Sequence, residues 1–428
     1  MKKRFALMAA LVAALAVSCS KENVETVSEE QPLSDILLSA QVEDTKTELQ
    51  SDGSIYWKFD DCILAFRDSY YRNYFFWTWT GNEEGASVTF TPCDDYGTEI
   101  SYADDGKYYN GSLSDGSGTI YAVYPFNAYW NLAGQYSLSG TTLTITDAIP
   151  REQVLTAGTF ASGANTAVAI SDDPDALVFK NVCSLLKFSA VGDATLSSVT
   201  ITSNEYVLLS GIGTVDLSAA APVATLTSDN PYWYNTIYMA NTNSVDISSS
   251  QDFYAVVPAT TVTGGLQFKL VTSNGYVIYK KTLNDLTFNR SKYRNAGSFT
   301  VTEDYSSYTT TSLALSDIGD YVSWGSSFSV SGTTLSFANQ WKPTGWKIAD
   351  ENKSAYQGML VKLNAEAPSG AMISLFYDGV GDRLSYDIAG LTNVVVLFGQ
   401  DVTGVGFENW SDSETMSLDI ASVQLLGK

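Results

Sequence analysis

The chain predicts an all-β protein, and three observations carry that reading. Aromatic residues make up 13% of its 428 residues, with 26 Tyr and 9 Trp among abundant Ser, Thr and Val. These flat or β-branched side chains fit a pleated surface. Short runs of alternating apolar and polar residues recur between clusters of Gly, Asn and Asp. No stretch beyond residues 5–17 keeps a helical period for three turns. Short strands at such spacing build sandwiches or barrels, and the length suffices for two to four domains.

The N-terminus reads as an export signal. Lys2, Lys3 and Arg4 precede an apolar run from Phe5 to Val17 that ends in Ala16-Val17-Ser18-Cys19. A membrane-spanning helix takes about 20 apolar residues, so this run is too short to be one. A basic start, a short apolar stretch and small residues describe a secretory signal. The cysteine that follows makes the segment resemble the lipobox of bacterial signal peptidase II substrates, which implies cleavage before Cys19 and a lipid on that residue. The alternative is an ordinary signal peptide with a chance cysteine. Residues 19–33 are a polar tether rich in Glu. Ser20-Lys21-Glu22-Asn23 resembles the surface-export signal of Bacteroidetes lipoproteins, so the expected location is the outer membrane, facing outward. A solvated linker on a periplasm-facing lipoprotein is the other reading.

Three β-units are expected after the tether. The first, 34–170, opens with a strand at Ile36–Leu38 and continues through Ile55–Trp57, Cys62–Phe66, the aromatic run Tyr71–Trp79, Ser87–Phe90, Thr119–Tyr124 and Thr142–Thr146. Asp147–Pro174 reads as a crossing segment. The second unit, 175–302, holds strands near Ala176–Phe179, Leu185–Ala190, Val199–Thr202, Glu205–Leu209, Phe253–Pro258, Leu266–Val271, Tyr276–Lys280 and Phe288–Val301. Asn274-Gly275 favours positive φ at both central positions of a tight hairpin. A polar linker at 303–312 leads to the third unit, 313–428. Its strands are expected at Phe328–Val330, Leu335–Phe337, Gly358–Leu363, Met372–Tyr377, Val394–Phe398 and Ser417–Leu426.

Composition excludes several functions. A net charge of −23 repels nucleic acid and anionic lipid, so neither is an expected partner, and the membrane is met only through the lipid. The chain has no His. Ser-His-Asp and Cys-His catalysis and His-containing zinc sites are therefore absent. Cys62, Cys93 and Cys183 remain beside Cys19, an odd number; a Cys62–Cys93 bond or three small buried thiols are the two readings.

Several motifs then align in order. Lys46-Thr47-Glu48-Leu49, Tyr56-Trp57, Asp61, Ile63 and Phe66 resemble the start of the fimbrillin-like proteins of Bacteroidetes, with Asp60 where a glycine is usual. Tyr121–Phe126 resembles their tyrosine-proline strand end, and Phe179–Leu186 the entry to their second domain. Val256-Val257-Pro258, Gly264-Gly265-Leu266 and Asn289-Arg290-Ser291-Lys292 resemble its later part. The resemblance covers about residues 34–302 and implies two transthyretin-like β-sandwich domains in a pilus subunit. It also implies that the first strand, Ile36–Val42, is cut away so that a neighbouring subunit can insert its own. Family members are commonly cut after Arg; none lies between Arg4 and Arg67, and Lys46 is the nearest basic substitute. Tyr356–Val361 and Leu418–Leu425 resemble strands of jelly-roll carbohydrate-binding modules. A whole domain after Val301 fits a pilus tip, an accessory subunit or a free-standing adhesin better than a shaft subunit. A surface glycan-binding lipoprotein of a polysaccharide-uptake system is the alternative.

Site candidates concentrate in the third unit, where Trp324, Trp341, Trp346, Tyr377 and Trp410 are dense. Asn339–Trp346 reads as loop. An aromatic face exposed on a loop can stack on a sugar ring, and a tryptophan of a sandwich can equally fill its core. For Trp341 and Trp410 the two readings balance; for Trp324 and Trp346 the core is favoured. Asp317, Asp320 and Asp419 could hold a structural calcium or be solvated loop carboxylates, and no other cofactor is expected. The pairs Asp60-Asp61, Asp94-Asp95, Asp104-Asp105 and Asp172-Asp173 carry no mark of the paired carboxylates of a glycosidase. Gly211-Ile212-Gly213 is followed by no helix, so it is not a phosphate loop. The chain is expected to act by binding rather than by catalysis.

Overall fold

The computed structural model describes residues 38–42, 48–49, 55–57, 61–66, 72–76, 87–90, 119–126, 136–173, 176–228, 230–319, 327–377, 383–413 and 415–428. Cys19, Lys46, Cys93 and Trp324 lie outside them, as do Asp60, Asp94, Asp95, Asp104, Asp105 and Asp320. The chain is all-β.

A seven-stranded sheet orders Arg72–Phe76, Cys62–Phe66, Ile120–Tyr124, Ala167–Ser171, Leu177–Asn181, Leu38–Val42 and Ser87–Phe90. Leu38–Val42 is an interior strand, parallel to Leu177–Asn181 and antiparallel to Ser87–Phe90. Trp57 anchors the core of this sheet, its ring 5.1 Å from Phe90, 5.3 Å from Tyr124 and 5.2 Å from Phe179, each edge to face. That is the favoured geometry for aromatic quadrupoles.

Two expectations are corrected here. Asp147–Pro174 is not merely a crossing segment: Thr142 continues as strand to Ile149, Glu152–Val154 joins the long sheet described next, and Ala167–Ser171 is central to the first sheet. Alanines at 167 and 169 concealed that strand, because Ala has low β-propensity although both are buried here. Glu205–Leu209 is not a strand. Tyr206 has φ 56°, which breaks extended backbone, and Ser203 Oγ donates to Val207 O at 2.7 Å to close a turn.

A long sheet runs through Glu152–Val154, Thr236–Asp246, Thr195–Ser203, Leu266–Thr272, Tyr276–Lys281, Asn393–Leu397, Tyr356–Leu363, Met416–Gly427, Thr334–Phe337 and Phe328–Ser331, with Thr310–Ser312 also on Met416–Gly427. The hairpin at Asn274-Gly275 forms where expected. Its turn differs: only Gly275 has positive φ, 81°, and its N–H donates to Thr272 O at 3.1 Å. The turn therefore spends one left-handed residue rather than the two of a two-residue loop.

The parallel join of Tyr276–Tyr279 to Asn393–Val396 makes this one sheet of two halves. Ile278, Val395 and Leu360 face one core with Phe188, Phe253, Phe268 and Phe299. Their neighbours Val277, Tyr279, Val394, Val396, Met359 and Val361 face a second core with Leu335, Ile373, Val405 and Phe407. Both faces are covered, which explains the unbroken Val394-Val395-Val396 run, as in buried parallel sheets. Between them, Tyr305 in the segment read as a polar linker is buried in the first core, and burial first, then Tyr308 and nearby charges, pushes its phenol well above the usual range.

Candidate aromatic binding site

A four-stranded sheet closes the second core: Thr344–Lys347, Gly404–Asn409, Ala371–Phe376 and Arg383–Asp387. Trp346 stands on its first strand, not in a loop. It is 5% exposed and donates from Nε1 to Ala314 O at 2.9 Å, so it belongs to the core and is closed to ligand. Tyr377 is half-buried against the same core; burial, opposed by a hydrogen bond with Tyr386, pushes its phenol up to about 12.

Trp341 and Trp410 are different. They are 55% and 39% exposed, and their ring centroids lie 5.2 Å apart at an interplanar angle of 52°. The residues around them hold both in place. Trp341 has φ 61°, uncommon for a bulky residue, and its N–H donates to Asn409 O at 2.8 Å. Trp410 N donates to Gly370 O at 2.7 Å, and Gln340 Nε2 donates to Ser411 O at 2.6 Å. Asn409 Oδ1 accepts from Ser411 N and Oγ, closing the Asn409–Ser411 turn.

The residue beneath the pair was not anticipated. Glu408 is fully buried, and its Oε2 accepts the Trp410 indole N–H at 2.7 Å. Its Oε1 lies 2.8 Å from Arg383 Nε and accepts from Ser374 Oγ and, at 3.4 Å, Ser385 Oγ. A buried carboxylate demands such compensation. Gly404 and Gly406 hid the strand that carries it. The inward alternation of Val405 and Phe407 was the available signal, placing Glu408 on the opposite face.

The remaining described candidates make hydrogen bonds within the fold. Asp419 accepts from Asn364 Nδ2 at 2.8 Å and, with less effect, from Thr333 Oγ1 at 2.7 Å, bonds that hold its carboxyl below the usual range. Asp317 accepts from Ser316 Oγ. Among the described residues no three acidic, Cys or His side chains gather as a metal site. Asp61 accepts from Tyr124 Oη at 2.9 Å, and Asp172 from Thr119 Oγ1 at 2.8 Å. Gly211–Asp216 is a strand. Cys183 is a buried free thiol, pushed up to about 12 by burial against a weaker opposing backbone bond from Thr166.

No family model matches the chain, and no curated protein does. Among solved structures, a candidate cell adhesion protein from Bacteroides ovatus is 12% identical, covering 61% of this chain and 91% of its own, with a TM-score of 0.38. One from Bacteroides uniformis is 13% identical, covering 63% and 95%, with a TM-score of 0.35. A tip fimbrial protein from Porphyromonas gingivalis, truncated at its C-terminus, is 11% identical, covering 57% and 80%, with a TM-score of 0.22.

Proposed function

We propose that this chain is a cell-surface adhesin, tethered by lipid at Cys19, that binds glycan through Trp341 and Trp410. The observation that carries the reading is the exposed, braced tryptophan pair. The C–H faces of a pyranose ring pack on aromatic faces, while its hydroxyls need polar partners at the rim; Gln340 and Ser411 stand there. Rigid aromatics lose little conformational freedom on binding, so their contact area converts well into affinity. The tilt between the rings offers a bent surface, suited to a twisting single chain rather than to a flat crystalline face.

The test is retention of the secreted form, from Ser20 onward, on a panel of soluble polysaccharides in affinity gels. Trp341→Ala and Trp410→Ala are each expected to abolish retardation on the ligand found. Retardation that survives both changes removes the tryptophan pair from the reading.

A role as a pilus tip or accessory subunit is the second reading, and the placement of Leu38–Val42 favours it. That strand is paired on both sides, so a cut at Lys46 that released it would leave a groove edged by Leu177–Asn181 and Ser87–Phe90. An inserted strand would regain both rows of backbone hydrogen bonds. Limited proteolysis followed by capture of a donor-strand peptide tests it; a chain that resists cutting there, or is cut and binds no peptide, is not a strand-exchanging subunit.

A further inference from the structure

A second aromatic surface lies on the sandwich around the core of Phe188, Phe253 and Phe299. Tyr206, Tyr232 and Trp233 are 54%, 71% and 54% exposed. The Tyr206 and Tyr232 rings meet edge to face at 4.8 Å, and Trp233, exposed as well, follows Tyr232 on the short helix Pro231–Tyr234. The surface is braced from behind. Tyr234 O accepts from the N–H groups of Leu209 and Ser210, and the Tyr234 ring packs where Gly211 leaves room for it. A Cβ at Gly211 would come within 2.8 Å of that ring. Tyr206, like Trp341, presents its ring from a left-handed backbone. Such conformations persist only where the surroundings impose them.

At the edge of this surface the guanidinium of Arg151 lies over Trp233, 4.0 Å from the ring centroid. Its Nε is buried and has no hydrogen-bond partner, and among the described residues Arg151 enters no ion pair. The chain holds 47 acidic residues against 24 Lys and Arg, so carboxylates to pair with it are plentiful elsewhere. The terminal Nη groups beyond the buried Nε, set against an aromatic ring, suit a carboxylate held there.

We propose that Arg151, Tyr206, Tyr232 and Trp233 form a second binding site, separate from the Trp341–Trp410 pair, for a carboxylate-bearing sugar. The aromatic rings take the apolar face of the sugar, and Arg151 takes the carboxylate. The overall negative charge of the chain works against weak, non-specific capture of acidic glycans, so the selectivity falls to this one cation.

The experiment measures binding of the secreted form to a galacturonate tetramer, to sialyllactose, and to a neutral galactose tetramer and lactose, by calorimetry at low and moderate salt. At least one acidic sugar should bind more tightly than its neutral counterpart, and which one does distinguishes a uronate from a sialic acid. Arg151→Gln should weaken that binding about tenfold or more, the worth of one charge-assisted hydrogen bond, and erase the acidic preference. Arg151→Lys should retain part of it, and Trp233→Ala should lose acidic and neutral binding alike. Unfolding midpoints of the variants establish that they remain folded. The combined Trp341→Ala, Trp410→Ala protein should keep the acidic preference, which separates this site from the one proposed above. Equal or absent binding of the acidic sugars, or an Arg151→Gln protein that binds them as well as the parent, overturns the proposal.

Discussion

The two aromatic surfaces of this molecule are built in opposite ways. At Trp341 and Trp410 the charge is compensated underneath: Glu408 is buried, met by Arg383, and reaches the exposed pair through the Trp410 indole N–H. At Tyr206, Tyr232 and Trp233 the charge is left open, since Arg151 lies on the ring without a counterion among the described residues. The first surface is electrically closed and suits neutral ligand; the second is open and selects by charge. An aromatic surface is thus specified as much by where its nearest ion is satisfied as by its rings.

The strongest way to break this contrast is to unseal the first site. Glu408→Ala removes the carboxylate that Arg383 Nε faces and takes the acceptors from Ser374 and the Trp410 indole, and should cost about 3–5 kcal/mol in denaturant unfolding. The corresponding change at the open site, Arg151→Gln, should leave the unfolding midpoint nearly unchanged. Trp346→Ala comes next, at about 3–5 kcal/mol less any local collapse, because it empties core rather than surface. Trp410→Phe is smaller: it keeps a ring but strands Glu408 Oε2, and should cost about 1–3 kcal/mol while weakening glycan retention. Trp341→Ala should change stability least of the tryptophan variants, since the ring is exposed and Ala keeps the Cβ that the left-handed backbone disfavours, and yet abolish retention.

A pH experiment sharpens the contrast from a third place. Burial depresses Lys281 from 10.5 to about 8, with its ammonium 4.9 Å from the Tyr386 ring centroid. Below pH 8 the amine is protonated both folded and unfolded, and the charged form is carried into the fold at a cost. Between pH 8 and about 10 the unfolded chain binds more protons than the folded one, so stability should rise with pH. Above that, phenols such as Tyr377, raised by burial, reverse the trend. Lys281→Met should flatten the rise between pH 8 and 10 in urea unfolding; an unaltered slope would assign it to other groups.

Much of this architecture was legible because strands announce themselves by alternation and turns. Leu335–Phe337, Gly358–Leu363 and the Asn274-Gly275 hairpin stood where their patterns put them. Among the strands missed, composition conceals two, through the alanines of Ala167–Ser171 and the glycines of Gly404–Asn409, while Thr236–Asp246 and Arg383–Asp387 were missed without that excuse. The site was half legible. Trp341 and Trp346 lie in one short segment with similar neighbours, and only strand pairing, Trp346 opposite Val405, sends one inward and leaves the other out. For Glu408 the alternation of Val405 and Phe407 gives the face but not the role, since Arg383, Ser374 and Ser385 come from strands distant in sequence. The second aromatic surface was hidden likewise, because Tyr206 reaches Tyr232, and Arg151 reaches Trp233, only after three separate segments fold.

The parallel ladder between Tyr276–Tyr279 and Asn393–Val396 has a mechanical consequence. The halves of the long sheet share hydrogen bonds and contribute side chains to each other's cores, so they form a stiff joint rather than a swivel. A pull applied at Trp410 against the other half of the sheet is carried by that ladder. Separation of the two halves under load is then set by the barrier to unfolding that joint.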